Sequence, residues 1–275
     1  MSIILGYSGT LVENCEDAWT AGANVTCSQE ATIIKIGTYS AKQVTSGAGA
    51  NELLCYEDFS SADLSAKTYV ALWLYSTIAL AAGDIQLLLD NSSACASPTE
   101  SINLPVAVQA SIWQRIVFPI ATPANCTAIV SVGIKQITNL ADFTFYIDDV
   151  RAFNAKSFDT LKVKGIDDPE SVSIKAVSGD ALDFSRYKTV CSSRRNPTVN
   201  LHVQQTKTNR VFLFNFFKAT DSSIFYGSDE VLVDQQDPSF FDNEWLDDCE
   251  LTKVFNFNFV ERTAWTTNPS SWDLT

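Results

Sequence analysis

The chain has 275 residues, of which 46% are apolar, 11% aromatic and 19% charged, a composition that excludes disordered and collagen-like chains. Lys and Arg number 19 against 32 Asp and Glu, for a formal charge of −13. That charge repels phosphate backbones and anionic lipid, so neither nucleic-acid binding nor membrane binding is expected.

The length suits two domains of about 100 to 150 residues each. The longest apolar run, Ile78 to Ala82, is far short of the ~18 residues that a membrane helix needs, and Met1 is followed by neither a basic segment nor a cleavage site. A soluble chain without a signal peptide is expected.

In chain order, eight strands are predicted first: Ala31 to Ile36, Tyr39 to Thr45, Asn51 to Glu57, Lys67 to Thr77, Asp84 to Asp90, Ser111 to Pro119, Thr127 to Ile137 and Phe143 to Phe153. Each is rich in β-branched or aromatic residues and is bounded by Gly, Ser, Asn, Asp or Pro. With no helical periodicity among them, they predict a β-sandwich or jelly roll over residues 1–155. In the last of them, Phe143, Phe145 and Ile147 alternate with Thr144, Tyr146 and Asp148, which predicts one buried and one more polar face.

A boundary is expected near Asn154 to Lys156. Residues 1–155 hold 6 basic and 14 acidic side chains, and residues 156–275 hold 13 and 18, so the second part is the more densely charged. It predicts strands at Ser171 to Val177, Thr198 to Gln204, Ser223 to Tyr226, Glu230 to Val233 and Leu251 to Arg262. Lys207 to Ala219 is the one helix candidate. Its Val211, Phe212, Leu213, Phe214, Phe216 and Phe217 cover nearly every face, which predicts burial on more than one side. An α+β domain over 156–263 and an extended tail over 264–275 complete the expected organisation: mainly β, a jelly-roll sandwich followed by a smaller α+β domain with one buried helix on a sheet.

Equipment for catalysis is scarce. His202 is the single histidine and lies in a predicted strand, and no G-x-S-x-G, G-x-G-x-x-G or G-x-x-x-x-G-K-[ST] motif occurs. No enzyme is expected. The seven cysteines include no C-x-x-C pair, which disfavours zinc and favours buried thiols, with disulfides open to the chain in an oxidising environment. Asn24, Asn91 and Asn125 begin N-x-S/T triplets, about the number that chance supplies, and carry no glycosylation argument. Trp73, Tyr75 and Trp113 sit mid-strand among apolar residues, so packing is favoured over a sugar-stacking role, and Trp113 and Trp19 are assigned to the core.

One order of residues is more specific. Glu16-Asp17-Ala18-Trp19, then Gly37-Thr38-Tyr39-Ser40, then the strand around Trp113, then Tyr146-Ile147-Asp148-Asp149-Val150 resembles the jelly-roll carbohydrate-binding-module and galactose-binding-like superfamily over residues 8–153. The resemblance implies a structural calcium held by Glu16 with Asp148 or Asp149, completed by carbonyls near Gly37, and leaves glycan binding open.

Seven basic residues and no acidic one lie between Phe184 and Ala219, and ten acidic and no basic ones between Asp221 and Glu250. Blocks of this kind pair within one chain or between neighbours, and a heterologous pairing closes into a ring. Arg186, Arg194, Arg195 and Arg210 on one side, and Phe240, Phe241, Trp245, Asp247 and Asp248 on the other, are the expected interface. The pattern around Asp183 to Tyr187, Arg210 to Ala219, Phe225 to Ser228 and Phe255 to Arg262 looks like ring-forming domains of tailed-phage tail and baseplate proteins. That likeness implies a structural virion protein in the tail or its tip, with homo-oligomeric and other virion partners. The alternative is a glycan-binding adhesion or capsid-decoration module that meets host surface glycans.

Overall fold

The computed structural model describes residues 2–164, 172–180, 186–195, 198–204, 207–219, 222–226, 229–232 and 252–258, with side chains described over 4–158, 208–209, 211–219 and 222–225. In chain order the strands are β1 (Ser2–Glu13), β2 (Thr20–Ala21), β3 (Val25–Glu30), β4 (Ser40–Thr45), β5 (Leu53–Ala62), β6 (Tyr69–Ser76), β7 (Ile85–Asp90), β8 (Glu100–Asn103), β9 (Gln114–Pro119), β10 (Ile129–Gln136) and β11 (Thr144–Lys164). They are followed by β12 (Val172–Asp180), β13 (Arg186–Arg195), β14 (Thr198–Gln204), helix α1 (Lys207–Lys218), β15 (Ser223–Tyr226), β16 (Asp229–Leu232) and β17 (Thr252–Asn258). Contacts divide the chain into two units, one built on Ser8–Ala155 and the other on Met1–Tyr7, Lys156–Tyr226 and the residues from Glu230 on. Residues 1–7, read from sequence as part of the first domain, thus fall in the second unit.

The first unit is a two-layer β-sandwich, as expected. One antiparallel sheet runs β3, β4, β11, β6, β9, and the other runs β2, β5, β10, β7, β8. Leu54, Val70, Leu72, Leu74, Leu87, Leu89, Ile116, Phe118, Val132, Ile134, Phe145 and Ile147 fill the space between them, with Trp19 also in this core. Removing such side chains from water contributes roughly 1.5–3 kcal/mol each. Among the described cysteines, Cys15, Cys27, Cys55, Cys95 and Cys126 are all unpaired thiols, and only Cys27 is not fully buried.

Two local expectations are corrected. Ala31 to Ile36 is not a strand but the start of an irregular loop reaching Tyr39. Its Ile33, Ile34 and Ile36 read as β-forming, yet the amides of Ala31 and Thr32 are bonded by the neighbouring Glu30 carboxylate and those of Lys35 and Ile36 by the distant Asp148, and those bonds override propensity. In β11, Tyr146 and Asp148 are buried along with Phe145 and Ile147, so burial does not alternate along this stretch of the strand although its side chains still alternate between the two faces. The short strands β2, β3 and β8 had no clear signal because they are polar or brief.

In the second unit, β15 pairs antiparallel with β1 through Ile4 and Phe225, Leu5 and Ile224, and Gly6 and Ser223. β11 pairs with β14 and β14 with β17, while β12 and β13 form a hairpin. Helix α1 buries Phe212, Leu213, Phe216 and Phe217, and Phe212 meets the rings of Tyr7 at 5.3 Å and Phe158 at 5.8 Å. Val211 and Phe214 stay 49% and 39% exposed. The helix is therefore covered on one side, not on several: positions 212, 213, 216 and 217 already form a complete inward stripe, and 211 and 214 point the other way.

Candidate functional site

The outward face of the β3-β4-β11-β6-β9 sheet carries the most distinctive constellation. Because successive side chains alternate across a strand, the residues between the core positions of β6 and β11 must face away from the sandwich. Register then aligns them across the sheet: Ser28 with Lys42, Lys42 with Tyr146, and Tyr146 with Tyr75. Trp113, just ahead of β9, extends the row, its ring 5.7 Å from that of Tyr75, which in turn meets Tyr146 edge-on at 5.3 Å. Strands are spaced about 4.8 Å apart, so the row spans about 19 Å, the length of a short oligosaccharide. Tyr75 and Trp113 are half-buried and neither belongs to the core cluster. This corrects the assignment of Trp113 to packing, whereas Trp19 is buried in the core as expected.

A second row lies beside the first. Asp148 is paired in register with Trp73, and Trp73 with Arg115. The indole of Trp73 is flanked by the Lys35 ammonium at 4.1 Å from the ring centre and the Arg115 guanidinium at 5.6 Å, both suited to cation–π attraction. Arg115, wholly buried, donates from Nη1 to the Asp149 carbonyl at 2.6 Å, and its Nη2 lies 3.3 Å from Asp149 Oδ2. Arg151 donates to Asp149 Oδ1 at 2.7 Å. Asp149 sits at a register shift with φ of 48°, which turns its carboxylate toward both guanidiniums.

The loop from 31 to 39 edges this face and is held by the two acidic residues that the sequence singled out. Asp148 Oδ2 accepts from the backbone N–H groups of Lys35 and Ile36, each at 2.9 Å. Glu16 Oε1 accepts from Thr38 N at 2.9 Å, and Oε2 accepts from Tyr39 N at 3.2 Å. Gly37 has φ of 77°, and a Cβ there would stand 1.8 Å from Glu16 Oε1, so only glycine fits against the clamp. Burial pushes the Asp148 carboxyl up to about 6 against the lowering effect of its two backbone donors, with the nearby charges of Asp149 and Glu16 adding to the rise.

For the expected calcium these contacts separate the three candidates. Asp149 does not fit, because both its oxygens face guanidiniums. Asp148 does, since its Oδ1 is buried without a hydrogen-bond partner, as an oxygen awaiting a water or cation would be. Glu16 reaches the same loop. Among the described residues no group of three or more His, Cys, Asp or Glu is arranged to hold a metal, so further oxygens would have to come from the backbone or water. Trp73 Nε1 is likewise buried without a partner, a donor facing the same side of the sheet as Asp148. The signal for the outer row was present in the sequence as Tyr75, Trp113 and Tyr146. What concealed it was that an aromatic residue in a strand looks the same whether a second sheet or solvent lies beyond it.

Of the expected interface residues, Arg186, Arg194 and Arg195 lie on β13, with Arg194 opposite Ser173 and Arg195 opposite Val172, and Arg210 lies on α1. Phe240, Phe241, Trp245, Asp247 and Asp248 fall outside the described residues. No helix among the described residues is long and apolar enough to cross a membrane.

No family model and no curated protein matches the chain. Among solved structures it is similar to the family 11 carbohydrate-binding module of the cellulosomal cellulase Lic26A-Cel5E of Clostridium thermocellum, with 11% identity and a TM-score of 0.40, covering 53% of this chain and 94% of that one. A family 11 module from Clostridium thermocellum in complex with a β-1,3-1,4-mixed-linked tetrasaccharide gives 12% identity and a TM-score of 0.40, covering 54% and 95%. The family 30 module of the cellulosomal cellulase Cel9D-Cel44B of Clostridium thermocellum gives 9% and 0.35, covering 52% and 96%.

Proposed function

We propose that residues 8–155 are a non-catalytic glycan-binding module, and that the ligand lies across the outward face of the β3-β4-β11-β6-β9 sheet. The observation that carries this reading is the row Ser28, Lys42, Tyr146, Tyr75 and Trp113, in which the half-buried rings of Tyr75 and Trp113 stand outside the core, next to the buried ring of Tyr146 and beside hydroxyl and ammonium donors. Aromatic faces stack on the apolar faces of sugar rings while donors read hydroxyls, and a rigid sheet sets the spacing of both. Affinity electrophoresis against a polysaccharide panel tests it. Trp113→Ala and Tyr75→Ala should abolish retention and leave the melting temperature within about 2 °C of wild type, because neither ring is part of the core. A Trp113→Ala protein that unfolds, or that is retained as well as wild type, refutes the reading. Calcium beside Asp148 and Glu16, if bound, is proposed as a structural ion that stiffens the 31–39 loop.

For the second part of the chain, we propose a structural role in a tailed-phage particle, in its tail or tail tip, through homo-oligomeric assembly and contact with other virion proteins. Two observations support it: the basic and acidic blocks in the sequence, and the uncovered Val211 and Phe214 on α1. Native mass spectrometry of the full chain tests it. Closed oligomers that dissociate as salt rises, and that Arg194→Glu with Arg195→Glu prevents, are expected. A monomer at all concentrations overturns it.

A further inference from the structure

Building on the proposed glycan site, the distribution of charge around it points to the class of sugar. Residues 1–155 carry only six basic side chains against 14 acidic ones, yet four of the six, Lys35, Lys42, Arg115 and Arg151, gather on this one face. Lys42 and Arg151 lie outward on β4 and β11, Arg115 lies on β9 beneath Trp73, and Lys35 reaches over Trp73 from the clamped loop. Their acidic partners sit lower. In the Lys42–Glu30 pair, at 3.1 Å, the lysine is 30% exposed and the glutamate 15%; in the Arg151–Asp149 pair, at 2.7 Å, the values are 39% and 6%. Lys35 is exposed, while Asp148 beneath its loop is fully buried. A ligand approaching this face of an acidic protein therefore meets cationic heads and aromatic rings, with the carboxylates behind them.

We infer that the site takes an acidic polysaccharide, one whose repeating sugars carry carboxylates, held by ring stacking on Tyr75 and Trp113 and by charge-assisted hydrogen bonds from Lys42 and Lys35. Charge-assisted bonds are shorter and about twice as strong as neutral ones. The carboxylates of Glu30 and Asp149 hold the cationic groups of Lys42 and Arg151 in place, which lowers the ordering cost of binding. An uncharged glycan would offer these cations only neutral hydroxyl acceptors, whose hydrogen bonds are the weaker ones. The face also discriminates against nucleic acid, because the protein's net charge of −13 repels a dense polyanion at long range, whereas a polysaccharide with one charge per sugar or fewer needs only a local match.

The test uses the full chain and a matched pair of probes, polygalacturonate and its fully methyl-esterified form, which share a backbone and differ in charge. Mixed-linked β-glucan, hyaluronan and polyglutamate complete the panel. Binding to polygalacturonate or hyaluronan at least about tenfold tighter than to the methyl ester and the β-glucan is expected. It should weaken about tenfold as salt rises from about 50 to about 500 mM. Lys42→Gln and Lys35→Gln should each weaken acidic-glycan binding about three- to tenfold, while Lys135→Gln, which removes the same charge from β10 of the other sheet, should leave it unchanged. Equal affinity for the methyl ester or the β-glucan overturns the acidic class and leaves the glycan module standing. Equal competition by polyglutamate overturns the sugar component. Retention of no polysaccharide at all overturns both readings.

Discussion

The two faces of the β3-β4-β11-β6-β9 sheet come from the same strands and are both rich in large side chains, yet they have opposite chemistry. The inner face, with Phe145, Ile147, Leu72, Leu74, Ile116 and Phe118, is mainly apolar, with Gln43 and Ser76 buried beside Phe145, and closes on a second sheet. The outer face interleaves Trp73, Tyr75 and Tyr146 with Lys42, Arg115 and Arg151, and its rings meet cations and one another instead of aliphatic chains. An aromatic residue is thus a core element or a recognition element according to what lies beyond the sheet. Polar partners such as Lys42, in register with Tyr146, mark the second case.

The sharpest way to break this comparison is one truncation on each face. Phe145→Ala, on the inner face, should cost about 3–5 kcal/mol of stability through the cavity it leaves, whereas Tyr75→Ala should change stability little and remove glycan retention. Similar melting temperatures for the two variants in calorimetry would erase the distinction between the faces. Next in size is Asp149→Ala, which strips the buried Arg115 guanidinium of its carboxylate. Loss of one partner from a buried pair costs about 3 kcal/mol, and Asp149→Asn should recover part of it by retaining hydrogen bonds. A loss below about 0.5 kcal/mol in urea unfolding would show that Arg115 is anchored by other groups.

A smaller effect is expected from chelation. Calcium at Asp148 and Glu16, present at about 100 times its Kd, would stabilise the fold by about 2.7 kcal/mol. EDTA should therefore lower the melting temperature by several degrees in wild type and not in Asp148→Asn. An unchanged midpoint removes calcium from the account. The smallest effect concerns Glu57, whose carboxyl is pushed up to about 7 by burial first and then by Asp17, Glu13 and Asp58. Its folded-state value lies above the unfolded one, so its protonated form favours the native state. The resulting stability is present below about pH 4 and is lost as pH rises through 7. Glu57→Gln should raise the melting temperature at pH 8 by about 2 °C and flatten its slope between pH 5 and 8. A slope unchanged in that variant would assign the dependence to other groups.

Much of the architecture was legible without coordinates, because the signals that encode it are local. Two-residue alternation and β-branched composition marked β4 to β7, β9, β10, β14 and β15 to within a few residues, and marked the start of β11 but not its continuation to Lys164. Glu16 and Asp148 were singled out by their order, and the structure brings both onto the 31–39 loop. Tertiary structure alone decided the rest. It turned Ala31 to Ile36 from a strand into a loop, because its amides find carboxylates 112 and 113 residues away in sequence at Asp148. It placed Asp149 against two arginines, since an adjacent pair of aspartates says nothing about which guanidinium each will meet. It left Val211 and Phe214 uncovered on a helix whose composition suggested burial all round. Above all, it decided which aromatic residues of β6 and β11 face the second sheet and which face out, because alternation separates the two faces of a strand but does not say which one another layer will cover.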